Sequence, residues 1–99
     1  MIEIEFHKGQ MMVDSRKLYE AMGLHPANYS RWMRETLKLT GRNIDFFEVE
    51  SLLKVNRRIK IRHYFTIEMA RALSIKTLTI HSKKINAFLK MEAMKELQK

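Results

Sequence analysis

Residues 15–34 read Ser15-Arg16-Lys17-Leu18-Tyr19-Glu20-Ala21-Met22-Gly23-Leu24-His25-Pro26-Ala27-Asn28-Tyr29-Ser30-Arg31-Trp32-Met33-Arg34. With Gly23 set as the turn glycine of a helix-turn-helix, Leu18, Met22, Leu24, Tyr29 and Trp32 fall where that motif needs apolar residues. Those residues lock two helices at a steep angle. Tyr19 departs from the pattern, because its position usually takes a small residue where the helices touch. Asp14, just before the stretch, reads as a helix N-cap, with Val13 and Leu18 at the spacing of a hydrophobic staple. The first helix is expected over 15–22, with Gly23 as its left-handed stop. A second begins near Pro26, a residue preorganised for the first helical position. It runs to about residue 39 or 40 and ends at Gly41.

The second helix divides into two faces. At 100° per residue, Tyr29, Trp32, Met33 and Leu37 lie on one side and Ala27, Arg31, Arg34 and Lys38 on the other. An apolar back and a basic front are what a recognition helix in a DNA groove requires. Asn28 and Ser30 add short polar groups able to read base edges. An ordinary amphipathic surface helix that happens to be basic has the same pattern. A rival helix-turn-helix lies at 66–83, where Met69, Ala70, Leu73, Ile75 and Ile80 match the apolar positions. There Ser74 replaces the turn glycine, and Lys83 sits where an apolar lock is needed.

Outward from these segments, residues 2–6 alternate as a strand with one buried face. Gly9 suits a turn, and Met11–Val13 is the return strand of a hairpin. Residues 44–50 and 59–65 form a second pair of strands joined by polar residues 51–58. Thr66 caps a third helix over 67–74, with Glu68 in its first turn, and a final helix covers about 78–97. The order is ββααββαα. This predicts a small α+β domain spanning residues 1–99, a helix-turn-helix with a basic, winged-helix-like β-hairpin and a long C-terminal helix.

The densest basic run is Lys54-Val55-Asn56-Arg57-Arg58-Ile59-Lys60-Ile61-Arg62. In a hairpin it becomes a basic tip and face suited to DNA phosphates, with Lys54, Asn56, Arg57, Arg58, Lys60 and Arg62 as contacts. Alternatively, Glu48 and Glu50 pair across the sheet with Lys60 and Arg62, which leaves Arg57 and Arg58 unpaired. The last helix carries one stripe, Leu78, Ile85, Phe88 and Leu89, expected to pack on the core. A second stripe, Ile80, Ala87, Met91 and Met94, lies on the far side. It suits a homodimer seam or a cover by the N-terminal hairpin.

Composition narrows the function class. In 99 residues there are 19 Lys+Arg against 11 Asp+Glu, a net charge of +8. Residues 1–50 carry a net −1 and residues 51–99 a net +9. A small basic domain of this kind points to a polyanion, usually nucleic acid. With no cysteine there is no disulfide framework and no thiolate nucleophile, as expected in a reducing cytoplasm. No apolar run reaches the length of a membrane span. His7, His25, His63 and His81 are scattered, without metal-site spacing. Neither a phosphate-cradling glycine loop nor a marked acid–base pair is present, so no enzyme, cofactor or metal is expected.

The run Val13-Asp14-Ser15-Arg16-Lys17-Leu18-Tyr19-Glu20, followed by Tyr29-Ser30-Arg31-Trp32-Met33, resembles the start of phage antirepressor domains of the AntA/AntB kind. These look related to the KilA-N and BRO group of viral DNA-binding domains. Asp45-Phe46-Phe47 and His63-Tyr64-Phe65-Thr66-Ile67-Glu68-Met69-Ala70 are similar too, so the resemblance covers roughly 13–90. It implies a phage, prophage or mobile-element transcriptional regulator acting in a bacterial cytoplasm. In that family the module usually precedes a further C-terminal domain, so a chain ending at Lys99 reads as a trimmed protein or a stand-alone regulator. The partner implied is double-stranded DNA or, alternatively, a repressor protein that the module inactivates without touching DNA.

Overall fold

One junction is used twice in this chain: a strand whose last residue caps the helix that follows it. The computed structural model describes residues 2–42, 44–53 and 58–97. Its elements are β1 (Glu5–His7), β2 (Gln10–Asp14), α1 (Ser15–Ala21), a 3-10 turn (Pro26–Asn28), α2 (Tyr29–Lys38), β3 (Phe46–Leu53), β4 (Arg58–Thr66), α3 (Ile67–Thr77) and α4 (Ile80–Leu97). This is the expected α+β order, ββααββαα. At the first junction the Asp14 carboxylate accepts the amides of Arg16 and Lys17 at 2.8 and 3.2 Å. At the second, the Thr66 hydroxyl accepts the Met69 amide at 3.2 Å. Each cap satisfies amides that have no partner inside their own helix, worth about 1 kcal/mol.

The four strands form one antiparallel sheet in the order β1-β2-β4-β3. The two strands that feed helices are therefore central neighbours, with Val13 opposite Phe65. Both side chains are fully buried. Around them gather Leu18 and Met22 of the first helix and its end, Met33 of α2, Phe46 of β3, Ile67, Ala70 and Leu73 of α3, and Ile85 and Leu89 of α4. Burial of each large apolar side chain contributes about 1.5–3 kcal/mol. Lys8 and Gly9 join β1 to β2 with φ of 53° and 77°. Two consecutive positive values make the primed two-residue turn that matches strand twist.

The first strand is shorter and later than its alternation predicts, because pairing with β2 stops at Glu5↔Met12. Beyond that point Ile2 enters the core at 7% exposure, whereas Phe6 is 58% exposed. Alternation marks which residues share a face, not how far a partner strand extends. The third helix is longer than expected. Ser74 donates its hydroxyl to the Ala70 carbonyl at 2.8 Å and so stays inside the helix, which runs on to Thr77. The turn falls at Leu78, a left-handed residue with φ of 59°. Leu78 is consequently exposed, not part of the core stripe, while Ile85 and Leu89 are buried as expected. The rival helix-turn-helix at 66–83 fails for the same reason: its turn lies four residues past Ser74, and Ile75 and Ile80 face solvent.

The start of α4 is tied to the end of α1. The Thr79 hydroxyl accepts the Ser82 amide at 2.9 Å, and the Ser82 hydroxyl accepts the Thr79 amide at 2.8 Å, a reciprocal capping box. Thr79 Oγ1 also donates to the Met22 carbonyl at 2.9 Å. Beside it Gly23 turns with φ of 77°, and a Cβ there would stand 2.9 Å from the His81 ring. Glycine suits the left-handed conformation, and a side chain there would also have to displace the exposed His81 ring.

Candidate nucleic-acid interface

The apolar back expected for α2 is present. Met33 and Thr36 are buried, and Tyr29, Trp32 and Leu37 are half-buried. Tyr19, out of place in a helix-turn-helix, is the wedge between the helices. Its ring lies 5.2 Å edge-on from Tyr29 and 5.0 Å from Trp32. Its hydroxyl donates to the His25 carbonyl in the connection between them. Trp32 in turn stands edge-on to Phe65 at 6.1 Å, which fixes α2 against the central strand. A large residue fits because the connection from α1 to α2 is seven residues long and includes a 3-10 turn. The helices meet through aromatic rings, not backbone to backbone.

The opposite face is open. Asn28, Ser30, Arg31, Arg34 and Lys38 are all exposed, as is Ala27. Among the described residues, Arg31, Arg34 and Lys38 have neither an ion pair nor a side-chain hydrogen bond. Their charge is therefore not neutralised within the fold.

The β3–β4 register decides the expected cross-strand pairs. Glu48 stands opposite His63, Glu50 opposite Ile61, Val49 opposite Arg62 and Ser51 opposite Lys60. Even-numbered residues of one strand face odd-numbered residues of the other, so neither glutamate stands opposite Lys60 or Arg62. Glu48 is engaged elsewhere, by the Arg42 guanidinium and by His63 Nε2 at 3.6 Å. The alternative of direct cross-strand pairing with Lys60 and Arg62 does not fit this register. Arg62 is exposed and makes no ion pair among the described residues. Arg58 begins β4 opposite Leu53. Lys54, Asn56 and Arg57 lie outside the described residues.

On α4, Ile80, Met91 and Met94 are 74%, 59% and 50% exposed, and Ala87 is exposed between them. The N-terminal hairpin does not cover this stripe; Phe6 and Met11 border the end of α4 near Ala93 and Leu97. Among the described residues no group of His, Cys, Asp or Glu gathers to hold a metal ion. No helix there is long and apolar enough to cross a membrane.

Two features escaped the sequence reading. Arg16 stacks on the Tyr29 ring, 4.3 Å from its centroid, and the Tyr29 hydroxyl shares a 2.7 Å hydrogen bond with Ser15. Burial pushes the Tyr29 phenol above its usual range. Between α2 and α3 lies a groove of about 400 Å³ whose lining includes Leu24, Trp32, Leu39, Met69 and Leu73. Both depend on how separate helices pack on one another, which no pattern within a single helix encodes.

The model of the AntA/AntB antirepressor family matches residues 13–79, about two thirds of the chain. The chain belongs to the AntA/AntB antirepressor family. No curated protein and no solved structure matches it. Membership carries a regulatory role of the phage antirepressor kind, in a family that is not enzymatic. The AntA/AntB span opens one residue before the Asp14 cap and closes on the Thr79 cap. It takes in α2 and the β3–β4 hairpin and leaves out β1 and α4. The candidate DNA contacts thus lie inside the family span, and the exposed apolar stripe of α4 lies outside it.

Proposed function

We propose that this antirepressor-family protein is a phage- or mobile-element-encoded transcriptional regulator that binds double-stranded DNA in the bacterial cytoplasm, without catalysis. The observation that carries this reading is α2. Its back is packed by Met33, Thr36 and Trp32, while Arg31, Arg34 and Lys38 stand exposed and unpaired on its front. Asn28 and Ser30 at its N-terminal end suit base edges. The basic run from Lys54 to Arg62, including Asn56, Arg57, Arg58 and Lys60, supplies phosphate contacts. Ile80, Ala87, Met91 and Met94 form the seam of a homodimer, whose two-fold axis doubles the site on an inverted repeat.

A second reading has its own support. The apolar groove between α2 and α3 suits a segment of a repressor protein, which the module would inactivate without contacting DNA. Gel-shift titrations against random and phage-operator duplexes at two salt concentrations separate the two. DNA binding that falls steeply with salt, through counterion release, is the expected result. No binding to any duplex at low salt, together with pull-down of the cognate repressor, would give the second reading the field.

A further inference from the structure

A cleft of about 250 Å³ opens between the start of α1, the first residue of α2 and β4. It brings Arg16, Tyr29 and Arg62 together over Ser15. The Arg16 guanidinium carbon stands 4.3 Å over the centroid of the Tyr29 ring, a contact that uses none of its N–H donors. Ser15 and Tyr29 share a single hydrogen bond at 2.7 Å. Only one hydroxyl proton is used there, so whichever oxygen accepts keeps its own proton for a ligand. The raised phenol pKa keeps Tyr29 protonated at neutral pH. Arg62 brings a second guanidinium with no ion pair among the described residues.

Two acids, Asp14 and Glu20, also line the cleft. Asp14 spends its carboxylate on the amides of Arg16 and Lys17. Lys17 reaches away to Glu3 at 2.9 Å. The cleft thus sets two guanidinium groups against two carboxylates, and of these Asp14 is turned to the backbone amides of α1. A tetrahedral oxyanion suits such a site, because planar forks donate to several of its oxygens at once.

We propose that this cleft is a phosphate-binding site, in which Arg16, Arg62 and the free proton of the Ser15–Tyr29 pair hold a phosphate group. Bordering the first turn of α2, it anchors a phosphodiester of bound DNA beside the helix that reads bases. In that respect it rests on the DNA-binding reading above. A phosphate contact carries no sequence information, so it sets register and affinity.

The test has two arms. In the first, inorganic phosphate is titrated into the full chain while the Arg Nε–H signals are followed by NMR. Those of Arg16 and Arg62 should move together and saturate, and Arg16→Gln should abolish the shift at Arg62. In the second, Arg16→Gln and Arg62→Gln should each flatten the plot of log K against log salt by about one for random and operator duplexes alike. Arg16→Lys, which keeps the charge, should restore that slope, and circular dichroism confirms that each variant is folded. Silent arginine signals with an unchanged slope would overturn the proposal while leaving DNA binding intact. Paired phosphate shifts in a protein that binds no duplex would keep the cleft and discard the DNA reading.

Discussion

The two helix pairs start alike and finish differently. Each first helix is capped by the last residue of a strand, Asp14 or Thr66, and each pair turns through a left-handed residue, Gly23 or Leu78. Between its helices the first pair takes a seven-residue path with an aromatic wedge. The second needs only Leu78 and the Thr79 cap. The surfaces of the second helices diverge further. α2 presents unpaired cations, whereas α4 presents Ile80, Met91 and Met94. The same topological position therefore carries exposed cations in the first pair and exposed apolar side chains in the second. The family span includes the first surface and stops short of the second.

Phe65 is where the comparison breaks down, because both pairs lean on it. It is fully buried between the capped helices and meets Trp32 edge-on. Phe65→Ala should cost about 3–5 kcal/mol, and urea unfolding should show one transition lost for both pairs together. Survival of α3 and α4 after α1 and α2 melt would mean that the pairs are independent units.

Next in size are the two exposed faces. Arg31→Ala and Arg34→Ala should each weaken a specific duplex by about 1–3 kcal/mol, and random DNA by less. Arg57→Ala and Arg58→Ala should weaken both duplexes equally. Anisotropy titrations measure the difference; equal losses from all four would show that α2 does not read sequence. For α4, Met91→Lys with Met94→Lys should give a folded monomer with weaker operator binding, seen by sedimentation and gel shift. A wild-type chain that stays monomeric at high concentration removes the seam.

The smallest effects contrast the two turns directly. Gly23→Ala places a side chain at positive φ and 2.9 Å from His81. It should cost about 1–2 kcal/mol, the penalty of a left-handed L-residue, plus any displacement of the ring. Leu78→Gly removes that penalty at a residue with little burial to lose. Glycine's greater unfolded-state freedom offsets part of the gain, so stability should rise by no more than about 1 kcal/mol. Thermal unfolding of the two variants should shift in opposite directions.

Much of the fold was legible because its determinants are local. Asp14 and Thr66 are short oxygen-bearing side chains placed just before apolar-periodic runs, and Gly23 follows the last such residue. The two faces of α2 follow from a period of 3.6, and both hairpins from alternating runs about a turn. Errors came where a local pattern had two outcomes. Ser74 suits a helix end, yet here it bonds to the carbonyl one turn back and stays helical. Leu78 continues an apolar stripe, yet it takes the left-handed turn because Thr79 supplies the cap after it.

By itself the sequence determined the element order, the caps, the basic front of α2 and the family, since each depends on neighbours within a few turns or on motif order. Only the tertiary structure decided the partners of charges and rings. The parity of the β3–β4 register sent Glu48 to His63 and Arg42, away from Lys60 and Arg62. Sheet order placed β2 beside β4 and so brought Arg62 to the cleft of Arg16 and Tyr29. Sheet order is set by contacts across some fifty residues of chain, and the β3–β4 register by partners up to 19 residues apart, both through shared burial of the core. That cooperative choice leaves no mark in a local window.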